Sequence, residues 1–316
     1  LAKELSYIIL ETCAALYEFL KYTFEVPTSK EHWRAVSKQF LDRWNVPHCL
    51  GAIYGKHIVI RKPINSGSHY HNYKGTKSIV LLAVVDANYK FRYIYVGTQG
   101  RISDGGVWNK CNLKELIDVN TLDMPPAHPL PGQDIPTPYV FLADDAFRLK
   151  PYILKPYGGN DLTLEERICT GKISVGNAVV SCSIIPVKYS RGRQVVETAF
   201  GIFANRLRVF LNPILLQPDK VRTLVLAGCA LHNFLRSHES TELWPVMDRE
   251  DMETGTTVPG AWGTEIPIQP GTDLHLPQVA TTYSNYYSTE AKAVRENFKA
   301  FFTSDVGAVY WQHRFV

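Results

Sequence analysis

The six cysteines (13, 49, 111, 169, 182 and 229) never fall at Cys-x-x-Cys spacing, so a zinc ribbon is not expected. A disulfide framework is not expected either. A chain of 316 residues, 45% of them hydrophobic, can bury a core without staples. Scattered single thiols fit a reducing compartment, cytosol or nucleus. Long apolar runs are also lacking, and none approaches the ~20 residues of a membrane span. The most apolar opening, residues 7–20, is interrupted by Glu11, Thr12 and Glu18 and reads as an amphipathic core helix. Charge of one sign is scarce: 34 Lys+Arg against 30 Asp+Glu leaves +4. That balance permits nucleic-acid binding but does not argue for it. No Gly-x-Ser-x-Gly elbow occurs, which removes an α/β hydrolase. No internal repeat is visible. The chain opens on Leu1 rather than Met, and upstream residues, with any targeting signal or further domain, are expected to precede it.

What is present is an ordered series of elements. Residues 4–23 and 29–44 read as helices, with Ser29 as an N-cap candidate. Residues 51–61 are β-rich. Residues 78–85 (SIVLLAVV) form a nearly continuous apolar run, the sign of a strand buried on both faces. A turn at Asp86-Ala87-Asn88 returns the chain as a third strand, 91–97. A short helix is expected at 104–117, capped by Ser103 or Asp104, and then a loop at 122–138 that holds six prolines. Residues 139–143 (YVFLA) read as a fourth strand and 158–190 as irregular. Helices are expected at 194–211, where Val196, Phe200, Phe203, Leu207 and Phe210 make one stripe, and at 219–236. Residues 237–289 read as tail, before a last helix (289–302) and an aromatic end at Val309-Tyr310-Trp311. The expected organisation is a helical lead-in (1–49), an α/β core (50–236) and a C-terminal extension (237–316).

The order β, β, β, helix, β, helix fits an RNase H-like mixed sheet flanked by helices. In that architecture carboxylates from the first strand, the fourth strand and a later helix gather around divalent ions, because Mg²⁺ and Mn²⁺ take hard oxygen ligands. Asp144 is the best candidate, since it follows the apolar run 139–143 and emerges at a strand's C-terminal edge. Its plain alternative is a turn cap. Asp145 reads as structural. Glu197 lies off the apolar stripe on a face with Gly201, Ala204 and Arg208; taken alone, it reads as a solvated acid. Asp104 could face the site or merely cap its helix, and Asp86 reads as an ordinary turn residue. Between 187 and 222, Lys188, Arg191, Arg193, Arg206, Arg208, Lys220 and Arg222 outnumber Glu197 and Asp219, which suits phosphate contacts as well as ordinary helix surface. The loop 69–77 (HYHNYKGTK) could stack on nucleic acid. His57, His69 and His71 lack a convincing zinc spacing.

Several ordered motifs make a family likeness specific. They are Trp44 to Ile53 (WNVPHCLGAI), 72–91 (NYKGTKSIVLLAVVDANYKF), 100–108 (GRISDGGVW), 141–157 (FLADDAFRLKPYILKPY), 193–210 (RQVVETAFGIFANRLRVF) and 226–236 (LAGCALHNFLR). With these the chain resembles the PIF/Harbinger transposase-derived nucleases, which carry a DDE-superfamily endonuclease domain. The resemblance implies an RNase H-like fold, a Mg²⁺ or Mn²⁺ cofactor, DNA as substrate and a nuclear location. It implies catalytic roles for Asp144 and Glu197 and metal contacts for Asp104, Asp144 and Glu197. DNA contacts are expected from Arg191, Arg193, Arg206 and Arg208. The first catalytic Asp of the motif Gly-Ala-Ile-Asp-Gly is replaced here, in Gly51-Ala52-Ile53-Tyr54-Gly55, by Tyr54. A phenol is neutral at pH 7 and cannot supply the bridging charge. Two readings therefore stand: a metal-dependent endonuclease weakened by Tyr54, or a domesticated, inactive DNA- or protein-binding module. The stretch 169–187 lengthens the spacing between Asp144 and Glu197 and reads as an insertion. Sequence-specific DNA reading is expected upstream or in a separate DNA-binding partner protein.

Overall fold

A computed structural model describes residues 2–158, 162–170, 172–175, 178–181, 188–238, 249–250, 257–258 and 287–308. The lead-in is α1 (Ala2–Leu20) and α2 (Lys30–Trp44). Ser29 caps α2 by accepting the His32 N–H at 3.4 Å, and Asn45 ends it in the left-handed conformation at φ 52°, which Asn tolerates better than most side chains. Then come β1 (Cys49–Val59), β2 (Ser78–Val85), β3 (Phe91–Gln99), α3 (Asp104–Trp108) and α4 (Asn112–Asp118). The proline-rich loop contains a two-residue pair, β4 (His128–Pro129) with β5 (Pro136–Thr137). Next are β6 (Val140–Leu142), β7 (Ile153–Leu154), α5 (Leu164–Thr170) and the hairpin β8 (Lys172–Val175) with β9 (Ala178–Ser181). The long helices α6 (Lys188–Arg206) and α7 (Pro218–His238) follow, then β10 (Arg249–Glu250) paired with β11 (Thr257–Val258), and α8 (Thr289–Thr303).

The main sheet has the order β3-β2-β1-β6-β7. The first three strands are antiparallel, and β6 and β7 run parallel to β1. This is the mixed, helix-flanked α/β sheet of the RNase H-like type that the element order suggested. The β2 run is apolar throughout because it serves two cores. Ile79, Leu81, Ala83 and Val85 face one, with Phe200 and Phe203 of α6, Val225 of α7 and Phe298 of α8. Val80, Leu82 and Val84 face the other, with Trp33 of α2, Val107 and Trp108 of α3 and Leu113 of α4. Side chains alternate across a strand, so both sets must be hydrophobic.

Several boundaries differ from the expectation. The helix expected at 104–117 is two helices. The chain turns at Asn109–Cys111 so that Val107, Trp108, Leu113 and Ile117 all enter one core. Helix α6 begins at Lys188 and ends at Arg206, and Arg208–Leu211 continue as a 3-10 turn. Residues 158–190, expected to be irregular, contain α5, β8 and β9. Part of the 169–187 stretch, and the aromatic end at 309–311, lie outside the described residues.

Candidate functional site

The site grows from a notch in the sheet. Strand β6 follows β1 only as far as the Ala52–Leu142 pairing, while β1 runs on to Val59. Ala143 still donates to the Leu154 carbonyl of β7 at 3.0 Å, and beyond it the chain leaves the sheet on the side of Tyr54. Asp144 emerges there, with its Oδ1 accepting the Ala146 N–H at 2.9 Å in an Asx turn.

Asp104 reaches the same notch because the cap position is already filled. Ser103 caps α3, its side chain accepting the Gly106 N–H at 3.3 Å. The Asp104 carboxylate is left to lie against the main chain of β1. A Cβ at Gly55 would run into it, and the Gly55 N–H supports it. Gly105 in turn packs on the Ala146 carbonyl, where a side chain would also collide. Two glycines therefore bring the start of α3 against the end of β6, which sets Asp104 beside Asp144. Helix α6 approaches through a third glycine: Gly192 is packed against Leu142. About a turn and a half later Glu197 faces the notch, with its Oε1 3.4 Å from Arg193 Nη2.

The electrostatics follow from crowding acids in a half-buried space. Burial, reinforced by the Asp144 charge, pushes Asp104 well above the usual carboxylate range, against the pull of the Gly55 N–H. Asp144 rises to about 6, chiefly through burial; Arg193 and the Ala146 N–H oppose the rise, while Asp145 and Glu197 add to it. Tyr54 joins all three acids. Burial first, then the charges of Asp104, Asp144 and Glu197, hold its phenol far above the ordinary tyrosine value. Its ring lies 5.9 Å from that of Phe200. The phenol is thus a neutral hydroxyl at pH 7.

The structure brings Asp104, Asp144 and Glu197 into one neighbourhood, with Tyr54 at the expected position of the first acid. Arg193 stands there too, turned toward Glu197. Arg206 does not reach the notch. It lies nine residues further along α6 than Glu197, about half a turn round, beside His232 and Arg236. Arg208 is exposed in the 3-10 turn. Arg191 is on α6, but its side chain lies outside the described residues. Asp145 is exposed, 3.8 Å from Lys155. Asp86 is fully buried; it accepts the Asn88 and Lys90 N–H groups at 2.8 and 3.0 Å and the Arg92 Nε–H at 2.8 Å, so it organises the β2–β3 turn.

Two neighbours of the site, Gly55 and Lys56, were not singled out from sequence, and a third, Tyr73, was marked only as part of the 69–77 loop. Gly55 is the floor on which Asp104 rests. Lys56 lies 5.7 Å over the Phe200 ring, and burial together with nearby Lys74 lowers its pKa to about 8. Tyr73 lies close enough that, after burial, the charges of Asp104 and Asp144 raise its pKa. Tyr73 and Lys74 belong to the 69–77 loop, whose aromatic and basic mixture was the available signal. His57 bonds Ser78 Oγ at 2.8 Å, and burial lowers its pKa to about 4.

As placed, these side chains do not make a two-ion donor set. One corner holds a neutral phenol, and among the described residues no three His, Cys, Asp or Glu side chains are grouped to hold a metal ion, although Glu197 Oε1 is buried without a hydrogen-bond partner. No helix of the described residues is long and apolar enough to cross a membrane.

A family model described as DDE superfamily endonuclease matches residues 53–233, the span that carries Tyr54, Asp104, Asp144 and Glu197. Among curated proteins, one called Protein ALP1-like from Arabidopsis thaliana is 25% identical over 213 residues, covering 66% of this chain and 48% of the relative. The chain thus spans about half the length of that relative. No solved structure matches.

Proposed function

Because the chain belongs to the DDE superfamily of endonucleases, we propose that it is a transposase-derived DNA-binding domain that cleaves its ligand poorly or not at all. Tyr54 carries this reading. A neutral hydroxyl stands where the family motif has a carboxylate, and burial, followed by the charges of the three neighbouring acids, holds it neutral. The other half of the proposal is DNA affinity. Arg193 beside Glu197 and Tyr73 and Lys74 of the loop flank the notch, and exposed Arg208 in the 3-10 turn after α6 adds a cation away from it, a set suited to phosphate and base contacts. The nuclear location implied by the family likeness belongs to the same proposal. A separate DNA-binding partner protein would supply sequence-specific reading.

The test is plasmid nicking with Mn²⁺ beside an electrophoretic binding assay. The expected result is wild-type nicking no higher than that of Glu197→Ala, a gain in Tyr54→Asp, and loss of that gain when Glu197→Ala is added. DNA binding should persist in EDTA and weaken in Arg208→Ala. Wild-type nicking equal to that of Tyr54→Asp, and abolished by Glu197→Ala, would instead establish an active endonuclease.

A further inference from the structure

Three N–H donors share one space beside the notch, and no acid stands among them. Lys56 and His57 come from β1 and Lys74 from the 69–77 loop. The charge of Lys74 bears on Lys56 and on His57, and that of Lys56 on His57, whereas no carboxylate bears on either. Among the described residues neither ammonium has an ion pair or a hydrogen bond. Lys56 meets the Phe200 ring at 5.7 Å and Lys74 the Tyr73 ring at 5.7 Å. Hydrogen bonds at buried Asn72 and Ser78 fix the frame. Asn72 Oδ1 accepts the main-chain N–H groups of Lys74 and Thr76 at 3.1 and 3.0 Å, and Asn72 Nδ2 donates to Ser78 Oγ at 3.0 Å. Among the described residues the Ser78 hydroxyl proton has His57 Nδ1, at 2.8 Å, as its acceptor. Burial, then the charges of Lys74 and Lys56, hold the imidazole neutral, so its own proton sits on Nε2.

That arrangement selects a ligand. A part-buried ammonium with a second one beside it and no counter-charge is costly to the free protein, and an anion that accepts hydrogen bonds offsets the cost. Lys74 is exposed, so the space is open to such an anion. A phosphodiester brings one charge and two free oxygens. A phosphomonoester brings about two charges and three free oxygens, one for each donor. Tyr73 says what the phosphate is attached to. Its ring is 5.5 Å from that of His57, and the charges of Asp104 and Asp144 reach its phenol. At 49% exposure, next to both the donors and the acids, it suits the base of the nucleotide that carries the phosphate. A phosphorylated peptide offers the same headgroup but no base.

On the reading that this domain binds DNA, we propose that Lys56, His57 and Lys74 hold the terminal phosphate of a DNA strand end, with its nucleotide at Tyr73. The notch then receives phosphorylated strand ends in preference to unbroken DNA.

The experiment uses the intact chain and short DNA strands of one sequence, ending in a 5′-phosphate, a 3′-phosphate or hydroxyls only. Binding is followed by fluorescence anisotropy. One of the two phosphorylated strands should bind at least about tenfold more tightly than the hydroxyl strand. Lys56→Met with Lys74→Met should erase that preference. Methionine keeps the stem that lies on each ring, and the melting temperature should not fall, because a part-buried charge is removed. Should the double variant misfold, Lys74→Met alone, at an exposed loop position, should cut the preference several-fold, and Lys74→Arg should keep it. Equal binding of the three strands would overturn the assignment and leave DNA binding standing, whereas no binding of any strand would overturn both. A preference that survives the lysine changes would place the phosphate elsewhere and overturn it too. So would a phosphoserine peptide that binds more tightly than the phosphorylated strand, because the site would then belong to a protein ligand.

Discussion

At Gly55 the main chain of β1 and the carboxylate of Asp104 share a space that no Cβ can enter. Gly55→Ala must therefore displace Asp104 or bend β1, at a cost of about 1–3 kcal/mol. Removing the carboxylate frees the space. Burial and the charge of Asp144 already penalise that group, so Asp104→Ala alone should be well tolerated. Gly55→Ala combined with Asp104→Ala should then be less destabilised than the sum of the single changes, by about 1 kcal/mol or more. Urea unfolding of the four proteins measures this directly, and strict additivity would mean that the two residues do not meet. The same pair marks how far a sequence can be read at this scale. Tyr54 in place of an acid is visible in the motif itself. For Asp104 the residues alone leave site and cap open, because Ser103 and Asp104 are both good capping residues, and only the family likeness points it to the site. Only the three-dimensional path shows that Ser103 takes the cap and releases Asp104 to the notch.

Among the elements, α7 contributes most by way of two polar side chains. Asn233 accepts the Phe91 N–H at 2.8 Å and donates to the Phe91 carbonyl at 2.7 Å and the Thr23 carbonyl at 3.2 Å. It acts as one extra strand residue at the start of β3. His232 meets the Tyr89 carbonyl at 2.8 Å next door. The motif 226–236 marks the family, yet in this structure its polar pair ties a helix to a hairpin. Asn233→Ala would leave the buried Phe91 N–H without its side-chain acceptor, and a loss of about 2–4 kcal/mol is expected. Thermal unfolding gives the size. Hydrogen exchange gives the place: the Phe91 amide should exchange faster while the amides of β6 hold their protection. A uniform rise in exchange would point to general loosening instead of a lost tie. Long elements such as β2 and α7 were legible from their rhythm. Strand β7 was not, because two residues carry no period and exist only through pairing with β6. The break between α3 and α4 did leave a trace: the step of five from Trp108 to Leu113 departs from the helical three-four rhythm.

Across the whole molecule the core draws on both ends of the chain. Phe40 of α2 and Phe298, Phe301 and Phe302 of α8 are buried with the sheet and α6 in one cluster. The amphipathic pattern of 289–302 showed a helix but could not show where it docks. Burial on this scale also traps histidines. His48 and His57 are each lowered to about 4, and His232 to about 3, by burial in every case; carbonyls of Thr137 and Tyr89 partly offset this for His48 and His232. The Tyr89 carbonyl can only accept, so His232 donates from Nε2 and stays neutral. An unfolded chain takes up a proton on each histidine near pH 6.5, which the folded chain refuses until far lower pH. The stability tied to neutral His232 is therefore whole above pH 6.5 and is lost progressively as pH falls toward about 3. The acids of the notch pull the other way between about 6 and 4, since the folded state takes up protons there more readily than the unfolded one. They are common to wild type and to a histidine variant, so they cancel in the difference. His232→Gln should be less stable than wild type at pH 7.5, because packing against Phe91 and Phe203 is lost. By pH 4.5 that gap should narrow by about 2–3 kcal/mol. Urea unfolding of both proteins at pH 7.5, 6.0 and 4.5 gives the three differences needed, and a gap that stays constant with pH would show that His232 accepts a proton in the folded protein as freely as in water.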